Sequence, residues 1–142
     1  MTVQGLILRD GRQGGPYEGR IFASVRPASR MARLVLRELG AEQCGTSYML
    51  PPGTEPRNVE RLREAAAADL RALSGVDRDD WEVGCAVIEI RLLLASGRSG
   101  ARDAARKRID ELSLPQRRIL ADRIRKVRSD DGRSREAETV AA

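Results

Sequence analysis

Histidine is absent from this chain of 142 residues, lysine and cysteine occur twice each, and aromatic side chains make up only 3% of it. Each shortage closes off a class of chemistry. Without an imidazole there is no Ser–His or Cys–His nucleophile pair and no ordinary general base near neutral pH. Cys44 and Cys85 lie far apart and form no CxxC spacing, so the usual zinc motif is missing together with its commonest partner residue. They read as free, reduced, partly buried thiols, with a redox-sensing pair as the alternative. The triplet Asp77, Asp79 and Asp80 lacks the glycine and distal glutamate of a calcium loop. The longest apolar stretch, Cys85 to Ala95, is broken by Glu89 and Arg91 and falls short of the roughly 20 residues a membrane helix needs. Met1 to Asp10 lacks the basic start and apolar run of a secretory signal. The expectation is a cytoplasmic, non-enzymatic protein with no cofactor, no metal and no membrane association.

Charge, by contrast, is plentiful and sorted along the chain. Residues 9 to 37 carry seven basic and two acidic side chains, residues 38 to 97 six and eleven, and residues 98 to 128 eleven and four. The balances are +5, −5 and +7, followed by a tail with two basic and four acidic residues. Two basic ends thus flank an acidic middle. Arginine supplies 24 of the 26 positive charges, and it suits bidentate contacts to phosphate or carboxylate. A GC-rich genome biases composition the same way, so the placement of the arginines says more than their identity.

Short β-branched and apolar runs, Val3 to Arg9 and Ile21 to Val25, bracket a segment rich in glycine, which predicts a hairpin with a long mobile loop over 10–20. Ala28 to Leu39 has helical periodicity, with Met31, Leu34, Val35 and Leu39 inward. Alternation over Glu42 to Leu50 predicts a third strand. Helices are expected from Thr54 or Asn58 to Ser74, burying Val59, Leu62, Ala66, Leu70 and Leu73, and from the Asp79–Glu82 capping-box spacing to Ala95. A half-buried strand over Val87 to Leu93 is the competing reading of the latter. Ala101 to Leu112 and a Ser113-Leu114-Pro115-Gln116 start predict two more helices, the last burying Leu120, Ile124 and Val127 and ending near Val127. The expected fold is α+β: a two- or three-stranded antiparallel sheet, then a four-helix part, in one compact domain over 1–128 with a disordered tail over 129–142.

The candidate binding residues follow from this layout. The loop offers Arg9, Arg12, Tyr17 and Arg20, glycine-spaced cations with one stacking ring. The first helix offers Arg26, Arg30, Arg33 and Arg37 at spacings of three or four, a basic stripe. The C-terminal helices add Arg102, Arg106, Arg117 and Arg118. Glu82 and Glu89 lie seven apart and share a helix face, where Glu89 is expected to partner an arginine. Together these predict a small basic regulatory or accessory protein that binds nucleic acid, or a complex already holding it, chiefly through phosphates. The alternative is an inhibitor, adaptor or assembly factor that docks an arginine-rich face on an acidic protein partner, and self-association of acidic middle with basic end is also allowed.

Overall fold

A computed structural model describes the backbone of residues 5–141 and the side chains of residues 5–129. Val3, at the start of the expected first strand, lies outside the described residues. Strands β1 (Leu6–Asp10) and β2 (Ile21–Val25) form the expected antiparallel hairpin, with Leu6 opposite Val25 and Asp10 opposite Ile21. The expected third strand is instead a pair, β3 (Glu42–Cys44) and β4 (Ser47–Met49), so the sheet has four strands in the order β1-β2-β4-β3. Gly45, at φ +62°, turns the chain with Thr46 in two residues and leaves the alternation of side chains on either flank intact. The alternation therefore masks the break.

Five helices complete the α+β fold: α1 (Arg30–Glu38), α2 (Pro56–Leu73), α3 (Arg78–Ala95), α4 (Ala101–Asp110) and α5 (Leu114–Ala141). Strand alternation sends Leu6, Leu8, Ala23, Val25 and Tyr48 toward the helices and into the core. Val35, Leu36, Leu50, Leu62, Val83 and Cys85 are fully buried there. Helix α3 is central and packs against α1, α2, α4 and α5, which is why Val83 to Ala95 is apolar nearly all round. The strand reading of Val87 to Leu93 is overturned. Burial pushes the Cys85 thiol up to about 12, while Cys44 is exposed at the end of β3.

Helix starts divide into one expected device and one unexpected one. At α5 the reciprocal box forms: the Gln116 amide nitrogen of the backbone donates to Ser113 Oγ at 3.3 Å, and Ser113 N donates to Gln116 Oε1 at 3.0 Å. At α3 the expected Asp79–Glu82 box does not form. Asp79 accepts from Gln116 Nε2 at 3.0 Å, and Glu82 is drawn into ion pairs. Helix α1 has no side-chain cap of its own; Asp69 of α2 supplies one from across the core. Its carboxylate accepts from Met31 N at 2.9 Å, Ala32 N at 3.0 Å and Trp81 Nε1 at 2.7 Å, at 3% exposure. Asp69 thus lies inward although it is charged.

Three apolar positions depart from the expected core. Leu73, at the end of α2, and Ile124 and Val127 on α5 are exposed. Gln116 and Arg123 of α5 reach Asp79 and Asp80 in the first turn of α3, and Ile124 and Val127, beyond those contacts, stay in solvent. Helical backbone continues to Ala141, through the stretch expected to be a disordered tail; the side chains of 130–142 and the backbone of Ala142 lie outside the described residues.

Candidate nucleic-acid interface

The two basic ends of the chain meet the acidic middle at one cluster. Arg30, at the start of α1, places NH1 3.2 Å from Glu82 Oε2 and NH2 2.6 Å from Glu89 Oε1. Arg108 of α4 approaches the same two carboxylates from the other side, NH2 to Glu82 Oε1 and Nε to Glu89 Oε2, both at 2.6 Å. Two turns of helix separate Glu82 from Glu89, so both project from one face of α3 and each spans two arginines. Burial alone would lift the Glu82 carboxyl, but hydrogen bonds from Arg108 and the charges of Arg30 and Arg108 reverse this and hold it below the usual carboxylate range. Burial alone would lower the two guanidiniums; the glutamates raise both above the ordinary value. Arg30 also lies 5.8 Å from the Trp81 ring centroid. The cluster confirms an arginine partner for Glu89, and it withdraws Arg30 from the outer stripe of α1.

The rest of that stripe stays outside. Arg26, Arg33 and Arg37 are exposed, and Arg33 donates back to the Pro27 carbonyl. Arg37 faces a groove of about 350 Å³ whose other cation is Arg98, with Leu34, Leu92 and Leu93 as apolar walls and Glu89 and Ser96 completing it. Arg98 also lines a neighbouring depression with Arg102 and Asp103. Here the N-terminal and C-terminal basic segments do come together. Among the described residues Arg37, Arg98 and Arg102 take part in no ion pair, whereas three of the four cations lining a larger cleft between α2 and α3 do: Arg61 and Arg91 share Glu38, Arg123 meets Asp80, and Arg71 alone is left without one.

A second basic surface is the β1–β2 loop. It closes as successive turns, with Gly15 N donating to the Arg12 carbonyl at 2.9 Å, Arg20 N to the Tyr17 carbonyl at 3.0 Å and Gly11 N to the Arg20 carbonyl at 2.7 Å. The Arg20 guanidinium is spent on the Leu50 carbonyl, at 2.9 and 3.2 Å. Arg9 and Arg12 remain exposed. Tyr17, 51% exposed, packs perpendicular to Phe22 with ring centroids 5.8 Å apart. Arg106 and Arg118 are exposed on α4 and α5, and Arg117 folds back on the Asp110 carbonyl at 2.7 Å. None of these three lines the groove of Arg37 and Arg98.

No protein-family model, curated protein or solved structure matches this chain. Among the described residues no three His, Cys, Asp or Glu side chains converge as metal ligands, and no helix is long and apolar enough to cross a membrane.

Sequence reasoning passed over Arg98, Phe22 and Arg108. Arg98 sits in a glycine-flanked loop that reads as a boundary, and nothing in its spacing links it to Arg37. Phe22 reads as one apolar residue of a strand. Its face becomes visible only from the register that sets it opposite Arg9 and Met49. A signal for Arg108 does exist: paired glutamates on an apolar helix require cations from other elements.

Proposed function

We propose that this protein is a non-enzymatic accessory or regulatory protein that binds nucleic acid through its phosphates, alone or as part of a complex that holds nucleic acid. The observation that carries the reading is the convergence of Arg37 with Arg98 across one groove, and of Arg98 with Arg102 beside it, from opposite ends of the chain. Folding consumes Arg30 and Arg108 on glutamates yet leaves these three cations without an ion pair among the described residues. Guanidiniums left in water along a groove favour a polyanion over an internal role. The exposed Arg33 lies one turn before Arg37 on the same helix face and lengthens the track.

Fluorescence anisotropy of labelled single-stranded and duplex DNA and RNA, at low and near-physiological salt, tests this. Saturable binding with a steep salt slope is expected. The double substitution Arg37→Glu with Arg98→Glu should weaken binding at least about tenfold on every sequence and reduce the slope by the equivalent of about two phosphates. Absence of binding at low salt would remove the reading. The apolar walls Leu34, Leu92 and Leu93 favour a second one in that event, an acidic protein segment seated on the same groove. Its check is a stoichiometric complex that survives nuclease treatment and is lost in the same double variant.

A further inference from the structure

The open face of the sheet narrows the kind of nucleic acid, resting on the phosphate-binding reading above. We infer that the chain takes a single strand, stacking one base on Tyr17 over the sheet face turned away from the helices, with flanking phosphates on Arg9 and Arg12. Strand pairing places Arg9 directly opposite Phe22, and Phe22 opposite Met49, so one row across the sheet reads cation, ring, thioether, running from an exposed Arg9 through a half-buried Phe22 to a buried Met49. Directly paired residues have Cβ atoms only ~5 Å apart. Tyr17 packs perpendicular to Phe22 at the loop end of that row and leaves about half of its surface in water. In the next row Ile7 is 52% exposed, which extends the apolar strip along β1.

The helices cover the opposite face, the one carrying Leu6, Leu8, Ala23 and Tyr48. Arg9 and Arg12 enter no ion pair among the described residues and can meet phosphates, although the exposed Asp10 and Glu18 of the same segment are unpaired as well and offset their charge. A stacking ring on a segment that also carries two unpaired guanidiniums offers the two kinds of contact a nucleotide needs, a base face and a phosphate. Paired bases in a duplex present no open face to such a ring without first being unstacked. The row therefore selects against the duplex as well as for the strand.

The test is anisotropy with a single-stranded DNA, a single-stranded RNA and the matching duplex at one salt concentration, on the wild-type chain and on Tyr17→Ala. The expected result is tighter binding of the single strands than of the duplex, and a five- to tenfold or larger loss for Tyr17→Ala confined to the single strands, with Trp81 emission unchanged as the folding control. The two single strands also tell ribose from deoxyribose: equal affinity means that base and phosphate alone are read. A crosslink from a 5-bromouridine oligonucleotide should map to the peptide holding Tyr17 and Phe22. Unchanged single-strand affinity in Tyr17→Ala, or equal losses on strand and duplex, would overturn the stacking site while leaving phosphate binding intact. Failure of the wild-type chain to bind any of the three would remove both.

Discussion

Trp81 of α3 donates its indole N–H to Asp69 of α2 at 2.7 Å, and through that carboxylate it is coupled to the first turn of α1. Both carboxylate oxygens are engaged: Oδ1 by Met31 N and Trp81 Nε1, Oδ2 by Ala32 N. An amide in place of the carboxylate would turn an NH2 group toward one of these donors. Asp69→Asn is therefore expected to cost nearly as much as Asp69→Ala, about 2–3 kcal/mol against about 2–4, and Trp81→Phe, which removes a single donor, about 1–2. Urea unfolding followed by circular dichroism gives the order. An Asp69→Asn variant within half a kcal/mol of wild type would show that the carboxylate is not the cap of α1.

The four-member ion cluster makes a second stability prediction, with an asymmetry set by exposure. The Arg108 side chain is 11% exposed and that of Arg30 39%. Removing Arg108 leaves two glutamates facing each other in a poorly solvated site. Arg108→Met should cost about 2–3 kcal/mol, below the range for fully buried pairs because both glutamates keep some water. Arg30→Met should cost less, under about 1.5 kcal/mol, as solvent screens the lost charge. Arg30→Glu would set a third carboxylate beside the pair and unfold the region, so charge reversals meant to probe binding belong at Arg37 and Arg98. Equal losses for the two methionine variants would contradict the exposure argument.

Acid should loosen the same cluster. The Glu82 carboxyl is held below its ordinary value of 4.5 in the folded chain, so its contribution is present above the unfolded value and disappears as pH falls through the folded one. The urea midpoint should change little on this account between pH 7 and about 5 and fall below about 4.5. Glu82→Gln, already less stable at neutral pH, should show a shallower acid fall than wild type. Parallel acid profiles for the two proteins would rule Glu82 out as a source of the acid sensitivity.

Local signals in the sequence served well where they were self-contained, and failed where a partner came from far along the chain. The hairpin strands, the helical periods and the Ser113–Gln116 box all depend on neighbours within a few residues, and each is present in the fold. Arg30 belongs by spacing to an outer stripe with Arg33 and Arg37, but α3 lies beside the edge of α1 that it occupies, 52 and 59 residues away from its partners. Ile124 and Val127 keep the apolar period of α5 beyond the contacts that Gln116 and Arg123 make with α3, and a periodicity cannot register where a partner surface stops. Nothing near Asp69 in the sequence marks it as a cap, because the donors that demand it belong to α1 and α3. The groove that joins Arg37 to Arg98 was illegible for the same reason.

Gly11 links the loop to the proposed stacking site and makes the last prediction. A Cβ built on it would stand 1.8 Å from the Tyr17 carbonyl oxygen and 2.6 Å from its carbonyl carbon. Both are backbone atoms, so no rotamer change relieves the overlap and the loop must open. Gly11→Ala should therefore break the bond from Gly11 N to the Arg20 carbonyl, cost about 1–3 kcal/mol, and release Tyr17 from Phe22. In ¹⁵N–¹H spectra the amides of residues 11–15 and 17–20 should shift while the Trp81 indole resonance, set by Asp69, stays in place. Single-strand affinity should drop as it does for Tyr17→Ala, although no atom of the ring has been removed. A Gly11→Ala protein with wild-type loop amides would mean that the backbone accommodates the methyl elsewhere and that Tyr17 is not positioned by this contact.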